Sequence, residues 1–511
     1  WLVGQFYAPI LSRPRTRTAT QDSTQKAAGK SGQALILVPE ITLIPGFEDA
    51  FLRFFPKRDI AVLHSQLSDG QYWETWERIR SGEAKHVIAT RQGLFAPWKR
   101  LALIAVTEEQ DESYKQWDMS PRYDARRAAA SLAHLHGARL LSVSETPSLL
   151  MRRNIAEKAI VPLRPLSITP PFGASLTVVN LRLERFRKNY STLSEMLVTR
   201  LHETLGRGGQ ALLYIHRQGM SAFSVCEDCK EVLRCQECGK AMTGAKDGSF
   251  RCLGCGWKTG FFPKCPKCGH LSFRNIGFGT ERIERDVERL FPGARVFRAD
   301  SSTMRRPKAA RELHDLMTAS KIDILIGTQM ILKDFSLPKL SLIGMIDADS
   351  LLSFPDFRSD ERFYQHLERA VKRVGPERVI LQTFHPESAF LQHVSAYDSD
   401  RFAERLLADR EGLEYPPFSR LVAVSYRDSD PEKAEQSAKK AFESLKKAFA
   451  KQGLPIRQSP PRPARLVPRK KLHESSFLLR IPDSSALPYS ELRALAKEKN
   501  CIIDVDPIAL Y

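Results

Sequence analysis

The sequence contains no uninterrupted apolar run that approaches the roughly 18 residues of a membrane-spanning helix. Its longest apolar runs, at 34–38 and 101–106, have the length of single β-strands. We therefore expect no membrane-spanning segment and no membrane partner. The chain begins with Trp1, and no charged-then-apolar leader follows it. We expect a truncated front end, not a signal peptide, and a cytoplasmic location.

Acidic residues are scarce relative to basic ones. The 59 Asp and Glu residues stand against 78 Lys and Arg, which gives a formal net charge of +19. Such an excess favours a polyanionic partner, because each Lys or Arg placed on a phosphate releases condensed counterions. Nucleic acid is the natural candidate, although basic residues can also serve solubility alone.

The segment 457–471 is the most basic part of the chain. It contains four prolines, which favour an extended backbone, and no acidic residue. We predict that it follows a nucleic-acid backbone, and the alternative is a solvated proline-rich connection. Its basic residues are Arg457, Arg462, Arg465, Arg469, Lys470 and Lys471.

Eight of the nine cysteines form four Cys-x-x-Cys pairs. Two thiolates at this spacing can turn toward one ion, and a tetrahedral structural zinc site needs two such pairs. The sequence therefore predicts two zinc ions. Disulfides are the alternative, but a reducing compartment disfavours them. Cys501 stands alone on an apolar strand and is predicted to be a small buried hydrophobe. The predicted ligands are Cys226, Cys229, Cys235, Cys238, Cys252, Cys255, Cys265 and Cys268.

Short apolar runs alternate with helix-length stretches over most of the chain. This pattern predicts an α/β fold with parallel sheets. We expect two lobes of the RecA-like kind, at 34–170 and 171–395, with a zinc module at 224–270 inserted in the second. The pattern changes after Tyr415, so 396–511 is predicted to be an α+β domain.

An ordered series of motifs resembles the primosomal protein N′ (PriA) family of bacterial replication-restart proteins. The resemblance begins near residue 34 and runs to the C-terminus, with the four Cys pairs in the family's position. The other motifs are Val38-Pro39-Glu40-Ile41, His64-Ser65, Thr90-Arg91, Leu94-Phe95-Ala96-Pro97, Ser113-Tyr114-Lys115-Gln116, Thr146-Pro147-Ser148, Gly279-Thr280-Glu281-Arg282, Gly327-Thr328-Gln329-Met330, Asp347-Ala348-Asp349, Asp356-Phe357-Arg358, Tyr415-Pro416-Pro417-Phe418 and Asp504-Val505-Asp506-Pro507.

The resemblance implies a superfamily 2 helicase fold and a role at abandoned replication forks. The implied partners are forked or single-stranded DNA, primosome proteins, single-strand-binding protein and the machinery that loads the replicative helicase. It also implies association with the nucleoid, a monomeric chain, and residues 1–33 as the end of a DNA-binding domain plus a linker. In the family the zinc sites are nested, so that Cys226 and Cys229 share an ion with Cys265 and Cys268.

The chain departs from the family at the positions that would handle ATP and Mg²⁺. Gly29-Lys30-Ser31 imitates the end of a P-loop, but no strand precedes it and no helix fits before the strand at 34. The family's Asp-Glu-Glu-His motif here reads Thr107-Glu108-Glu109-Gln110. Thr107 cannot replace the carboxylate that holds the metal, which leaves Glu108 without an anchored metal beside it.

The arginine-finger segment of the second lobe is incomplete as well. Arg373 and Gly375 remain, whereas Pro376 stands where the family has its last arginine. Some actinobacterial branches of the family also lack recognisable helicase motifs, and this chain resembles them. We therefore expect a fork-binding protein without helicase activity. The alternative is an active ATP-dependent 3′-to-5′ DNA helicase.

Aromatic and basic residues alternate between 114 and 123. Such a mixture can stack on bases and hold phosphates. Tyr114, Lys115 and Trp117 are predicted to contact DNA, together with Arg469, Lys470 and Lys471 from the basic segment. The alternative is that the aromatic rings pack on the first lobe, and for Tyr123 both interpretations stay open.

Overall fold

The computed structural model describes the chain apart from residues 1–31, 164–175, 216–222, 230, 232, 237–241, 245–248, 253–256, 260–263, 277–278, 301–302, 306–308, 329–336, 350–355, 375–378, 389, 392–398, 468–471, 486 and 509–511. The described residues form two compact units. Of the described residues, unit 1 contains 32–163, 303–305, 309–321 and 337–338, and unit 2 contains the others.

Strands and helices alternate through both units. The strands are β1 (Gln33–Leu37), β2 (Ile60–Leu63), β3 (His86–Ala89), β4 (Leu101–Thr107), β5 (Arg139–Val143), β6 (Leu176–Asn180), β7 (Gln210–Tyr214), β8 (Phe223–Cys226), β9 (Met242–Gly244), β10 (Phe250–Cys252), β11 (Lys258–Thr259), β12 (Phe273–Ile276), β13 (Val296–Ala299), β14 (Ile324–Gly327), β15 (Leu340–Met345), β16 (Val379–Thr383), β17 (Ser419–Asp428), β18 (Arg457–Gln458), β19 (Arg465–Val467), β20 (Leu472–Pro482) and β21 (Cys501–Val505). The α-helices are α1 (Ile44–Leu52), α2 (Asp69–Ser81), α3 (Ala125–His136), α4 (Leu149–Ala156), α5 (Leu181–Phe186), α6 (Glu195–Gly206), α7 (Thr280–Leu290), α8 (Ala309–Thr318), α9 (Ser359–Val374), α10 (Ser399–Gly412), α11 (Pro431–Gln452) and α12 (Tyr489–Ala496).

Unit 1 is built on a parallel five-stranded sheet with the order β2-β3-β1-β4-β5. The central strand β1 is buried along its whole length, as expected for a parallel strand covered on both faces. Helix α2 begins with a capping box in which Ser68 and Gln71 satisfy each other's amides, and it ends at Gly82 in the left-handed conformation.

Helix α8 also belongs to unit 1, although its residues lie within the span predicted for the second lobe. It packs against α1, where the Arg311 guanidinium lies 3.1 Å from the Asp49 carboxylate.

Unit 2 contains a parallel six-stranded sheet with the order β13-β14-β7-β15-β16-β6. The two parallel sheets confirm the predicted mixed α/β fold. The C-terminal part is an antiparallel sheet in which β17 lies between β20 and β21. Helix α11 packs on this sheet through an Ala-rich stripe that ends in Leu445 and Phe449.

Two short antiparallel sheets form the cysteine-rich part of unit 2. Strand β8 pairs with β12, and β10 lies between β9 and β11. A small apolar cluster around Met242 and Phe250 lies between them, so this part has little core of its own. Within the described residues, no helix is long and apolar enough to cross a bilayer.

Candidate functional site

Two Cys-x-x-Cys turns meet at the end of the β8–β12 pair. Cys226 is the last residue of β8 and lies opposite Phe273 of β12. The amide of Cys226 donates to the Glu231 carbonyl, and the amide of Cys265 donates to the His270 carbonyl. These bonds fold each pair into a tight turn with its thiols facing the other pair.

The four thiols of these turns form one compact group. One sulfur from each of Cys226, Cys229, Cys265 and Cys268 lies within 4.8 Å of all the others. The Cys226–Cys268 and Cys229–Cys265 sulfur distances are both 3.5 Å. Sulfurs at about 2.3 Å from a tetrahedral ion would be about 3.8 Å apart, so the group has the size of a four-thiolate metal site.

The thiol pKa values differ within this group. Burial raises the pKa of Cys265, but hydrogen bonds from the amides of Cys268 and Lys267 and from neighbouring thiols lower it to about 7. The His270 amide lowers the pKa of Cys268, yet desolvation and hydrogen bonding to the other thiols outweigh this and raise it to about 12. The Cys268 thiol therefore stays protonated near neutral pH unless a cation lies beside it, which a bound metal ion would supply.

The inner cysteine pairs are described only in part. Cys235 and Cys252 are buried in the small cluster with Met242 and Phe250. Cys238 and Cys255 lie outside the described residues. The structure therefore brings the outer pairs together as nested pairing requires, and the second site stays a prediction.

Tyr114 lies buried at the carboxyl edge of the unit 1 sheet. Its ring is 0% exposed, and its hydroxyl lies 2.9 Å from the Leu37 carbonyl oxygen and 2.6 Å from that of Thr107. The Thr107 hydroxyl donates to the same Leu37 carbonyl at 2.8 Å. Burial raises the pKa of Tyr114 well above its ordinary value, so the phenol stays protonated. These two side chains join the ends of β1 and β4.

This burial corrects the prediction that Tyr114 and Lys115 contact DNA. Lys115 is 2% exposed, and its ammonium donates to the Arg122 carbonyl. Both side chains hold the loop to the first lobe, as in the alternative interpretation that these residues pack on that lobe. Tyr123 also packs, edge-on against Phe95. Of the three DNA contacts predicted in this loop, Trp117 is the exposed one, with 57% of its surface exposed.

The acids that follow β4 accept hydrogen bonds from nearby polar groups. Glu108 has a left-handed backbone (φ +50°), and its carboxylate accepts from the Gln110 amide at 2.7 Å. Glu109 is buried and accepts from the amide and hydroxyl of Ser148 at the start of α4. Neither carboxylate lies at position 107, where the chain has a threonine.

The structure does not describe the side chains of four residues that the sequence predicts in a binding site. The backbone of Arg373 lies in the last turn of α9, but its side chain is outside what the structure describes. Arg469, Lys470 and Lys471 also lie outside the described residues. Their roles stay predictions.

Comparison with curated proteins identifies the family, although no family model matches the chain. The chain is 34% identical over 431 residues to replication restart protein PriA of Bacillus subtilis, which covers 83% of this chain and 53% of that protein. It is 30% identical over 503 residues to PriA of Chlamydia pneumoniae, which covers 96% of this chain and 67% of that protein. The chain belongs to the replication restart protein PriA family.

The chain spans about half to two thirds of the length of these PriA relatives. Among solved structures, a variant of Dbp5 from S. cerevisiae bound to RNA and ADP BeF3 aligns with a TM-score of 0.42 and 11% identity, covering 75% of this chain and 82% of that one. A TM-score this low assigns nothing further.

A second aromatic–basic segment was not singled out from the sequence. Residues 186–190 read Phe-Arg-Lys-Asn-Tyr, and Phe186 is the last residue of α5. Phe186 is 87% exposed and Tyr190 is 55% exposed, in contrast to the buried Tyr114. The alternation was visible in the sequence, but only the structure separates the buried instance from the exposed one.

Proposed function

We propose that this chain acts at abandoned or stalled replication forks, binds forked or single-stranded DNA, and promotes primosome assembly without helicase activity of its own. Membership of the PriA family supports the restart role. The observation that carries the absence of motor activity is Thr107, a neutral residue at the end of β4 whose hydroxyl donates to the Leu37 carbonyl.

The protein partners belong to the same proposal. They are other primosome proteins, single-strand-binding protein and the machinery that loads the replicative helicase, and the chain acts on DNA as a monomer associated with the nucleoid. The cysteine-rich part holds two zinc ions in a structural role, because soft thiolates in closed four-sulfur sites favour zinc.

Phosphoryl transfer needs a phosphate cradle, a held Mg²⁺ and positive charge on the transferring group. Thr107 and Pro376 stand where two of these groups would be. We therefore expect purified protein with forked DNA to show no DNA-stimulated ATP hydrolysis. Thr107→Asp should not restore it, because one carboxylate supplies neither cradle nor finger. DNA binding measured in the same samples shows that the protein is functional.

An active helicase would behave differently in this assay. Turnover of several ATP per second that Glu108→Gln abolishes would establish the helicase alternative and overturn the motor-free proposal.

Binding of single-stranded DNA should depend on salt and on Trp117. Stacking of one base on an exposed ring contributes about 1–3 kcal/mol, so Trp117→Ala should weaken binding by that amount. Trp73 on α2 is a matched control, because it is 64% exposed in the same unit. Trp73→Ala should bind like the wild type.

Replacement of Arg469, Lys470 and Lys471 with Gln should make the affinity for single-stranded DNA less dependent on salt. Each lost phosphate contact should flatten the slope of log affinity against log salt by about 0.7 on single strands. Titrations at several salt concentrations measure this slope. Trp117→Ala should leave the slope unchanged, and an unchanged slope in the triple variant would remove the basic segment from the interface.

A further inference from the structure

A cleft in unit 2 lies beside the exposed segment 186–190. It has a volume of about 510 Å³ and lies between the turn after α5, helix α6 and the end of α7. Three cations line it against one acid, and the acid is Glu195. Its cations are Arg187, Lys188 and Arg289.

These cations are weakly neutralised by the protein. Arg187 lies 3.9 Å from Glu195, and both side chains are more than half exposed. Arg289 lies 3.6 Å from Asp286 and is 69% exposed. The described part of the chain gives the Lys188 ammonium no ion-pair partner, so this charge is available to an external anion.

The backbone beneath this surface is held in place from both sides. The Arg282 guanidinium donates to the Tyr190 carbonyl at 3.1 Å. The Asp286 carboxylate accepts from the amide and hydroxyl of Thr192, both at 2.8 Å, and Asn189 donates to Glu184 at 2.6 Å. The turn is therefore ordered before any ligand arrives, which lowers the entropic cost of binding.

Lys188 occupies a position that favours glycine. Its φ is +63°, and its amide donates to the Arg185 carbonyl as the turn leaves α5. A residue with a Cβ is strained in this conformation, whereas glycine is not. The long cationic side chain is thus kept at the lip of the cleft against the local backbone preference.

The two aromatic rings of the segment 186–190 are highly exposed to solvent. Phe186 has the largest exposed fraction among the exposed large hydrophobic residues of the described chain, and Tyr190 is also more than half exposed. Rings beside weakly neutralised cations suit bases and phosphates together, because every base has a π-face and every nucleotide a charge. An acidic protein segment would satisfy the cations but does not call for two aromatic platforms.

We infer that Phe186, Lys188, Tyr190 and Arg289 form a second contact surface for single-stranded DNA, in which the rings stack on bases and the cations hold phosphates. This inference rests on the proposed DNA binding and locates part of it on unit 2. All four residues belong to unit 2, whereas Trp117 belongs to unit 1.

Fluorescence anisotropy with labelled oligo-dT tests this surface. A probe of about 20 nucleotides is long enough to span one or more binding sites of the usual size. Phe186→Ala/Tyr190→Ala should weaken binding about tenfold or more. Lys188→Gly/Arg289→Gln should flatten the salt slope by about 1.4, as expected for two contacts on a single strand. Phe54→Ala/Lys57→Ala is the control, since Phe54 is 52% exposed and distant in sequence. It should bind like the wild type.

Thermal unfolding separates binding from folding. Because Lys188→Gly relieves backbone strain, this variant should be no less stable than the wild type, so its weaker binding would not reflect unfolding. A parallel titration uses the acidic copolymer poly(Glu, Tyr).

Variants that bind oligo-dT like the wild type overturn the inference and leave the proposed function intact. Loss of copolymer binding with unchanged oligo-dT binding also overturns it and assigns the surface to acidic proteins. A wild-type chain that binds neither oligo-dT nor forked DNA would overturn the proposed function itself.

Discussion

Replacing Cys226 and Cys229 with serine is expected to remove one metal ion from each chain and to unfold the cysteine-rich part of unit 2. Structural zinc contributes on the order of 10–16 kcal/mol to the folding of small sites. The apolar cluster around Met242 and Phe250 is too small to replace that contribution. Loss of one pair leaves two sulfurs, which cannot close a tetrahedral site.

Metal analysis of purified protein measures this effect. We expect about two zinc ions in the wild type and about one in the double variant, as eight thiolates in four-sulfur sites require. Hydrogen exchange should rise across β8 and β12, the strand pair beside the outer cysteines. Cys501→Ala is the control, because this thiol lies in β21 of the C-terminal sheet. Equal metal content in the wild type and the double variant would contradict the nested site.

Arg410→Ala is expected to destabilise the junction between α9, α10 and the C-terminal sheet by about 3–5 kcal/mol, the cost of breaking a buried ion pair. The Arg410 guanidinium lies 2.8 Å from the Glu361 carboxylate, and their side chains are 8% and 14% exposed. It also donates to the Pro416 and Phe357 carbonyls and lies 5.0 Å from the centre of the Phe357 ring. Truncation removes this cation from beside a largely buried carboxylate.

Hydrogen exchange of the α10 amides measures this loss locally. A loss of about 3 kcal/mol should speed exchange about a hundredfold, since about 1.4 kcal/mol is tenfold. Arg405→Ala is the matched control on the same helix, where the guanidinium is 48% exposed and lies 4.0 Å from Asp409. An exposed pair of this kind contributes about 0–1 kcal/mol. Equal exchange in both variants would show that the buried pair does not hold the junction.

The sequence predicts the parallel sheets well and the surface poorly. The apolar run at 101–106 predicts a strand, and β4 ends one residue later, at Thr107. The sequence reveals this strand because a parallel strand buried on both faces is a continuous apolar run. The Lys- and Ala-rich stretch at 431–451 is typical of a helix, and α11 spans Pro431–Gln452 and ends before Gly453 in the left-handed conformation. The short strands around the cysteines were not predicted, since two to four residues give no periodicity.

For the candidate sites too, the sequence predicts the type of residue involved but not which side chains meet or which are exposed. Cysteine spacing predicts metal ligands, but Cys226 and Cys265 lie far apart in sequence, and the pairing of β8 with β12 brings them together. Aromatic–basic alternation predicted DNA contacts at 114–117, yet the Tyr114 hydroxyl is within reach of two backbone carbonyls inside the sheet. Alternation does not reveal which rings have buried hydrogen-bond acceptors within reach.

The placement of α8 in unit 1 also sets an order of events during synthesis. Helix α1 leaves the ribosome before α8, which carries the Arg311 partner of Asp49 and is made more than two hundred residues later. At translation rates of about 5–20 residues per second, this interval is on the order of tens of seconds. Helix α1 must therefore persist for that time with the face that packs on α8 uncovered. A fragment that stops before residue 309 would keep that face uncovered permanently.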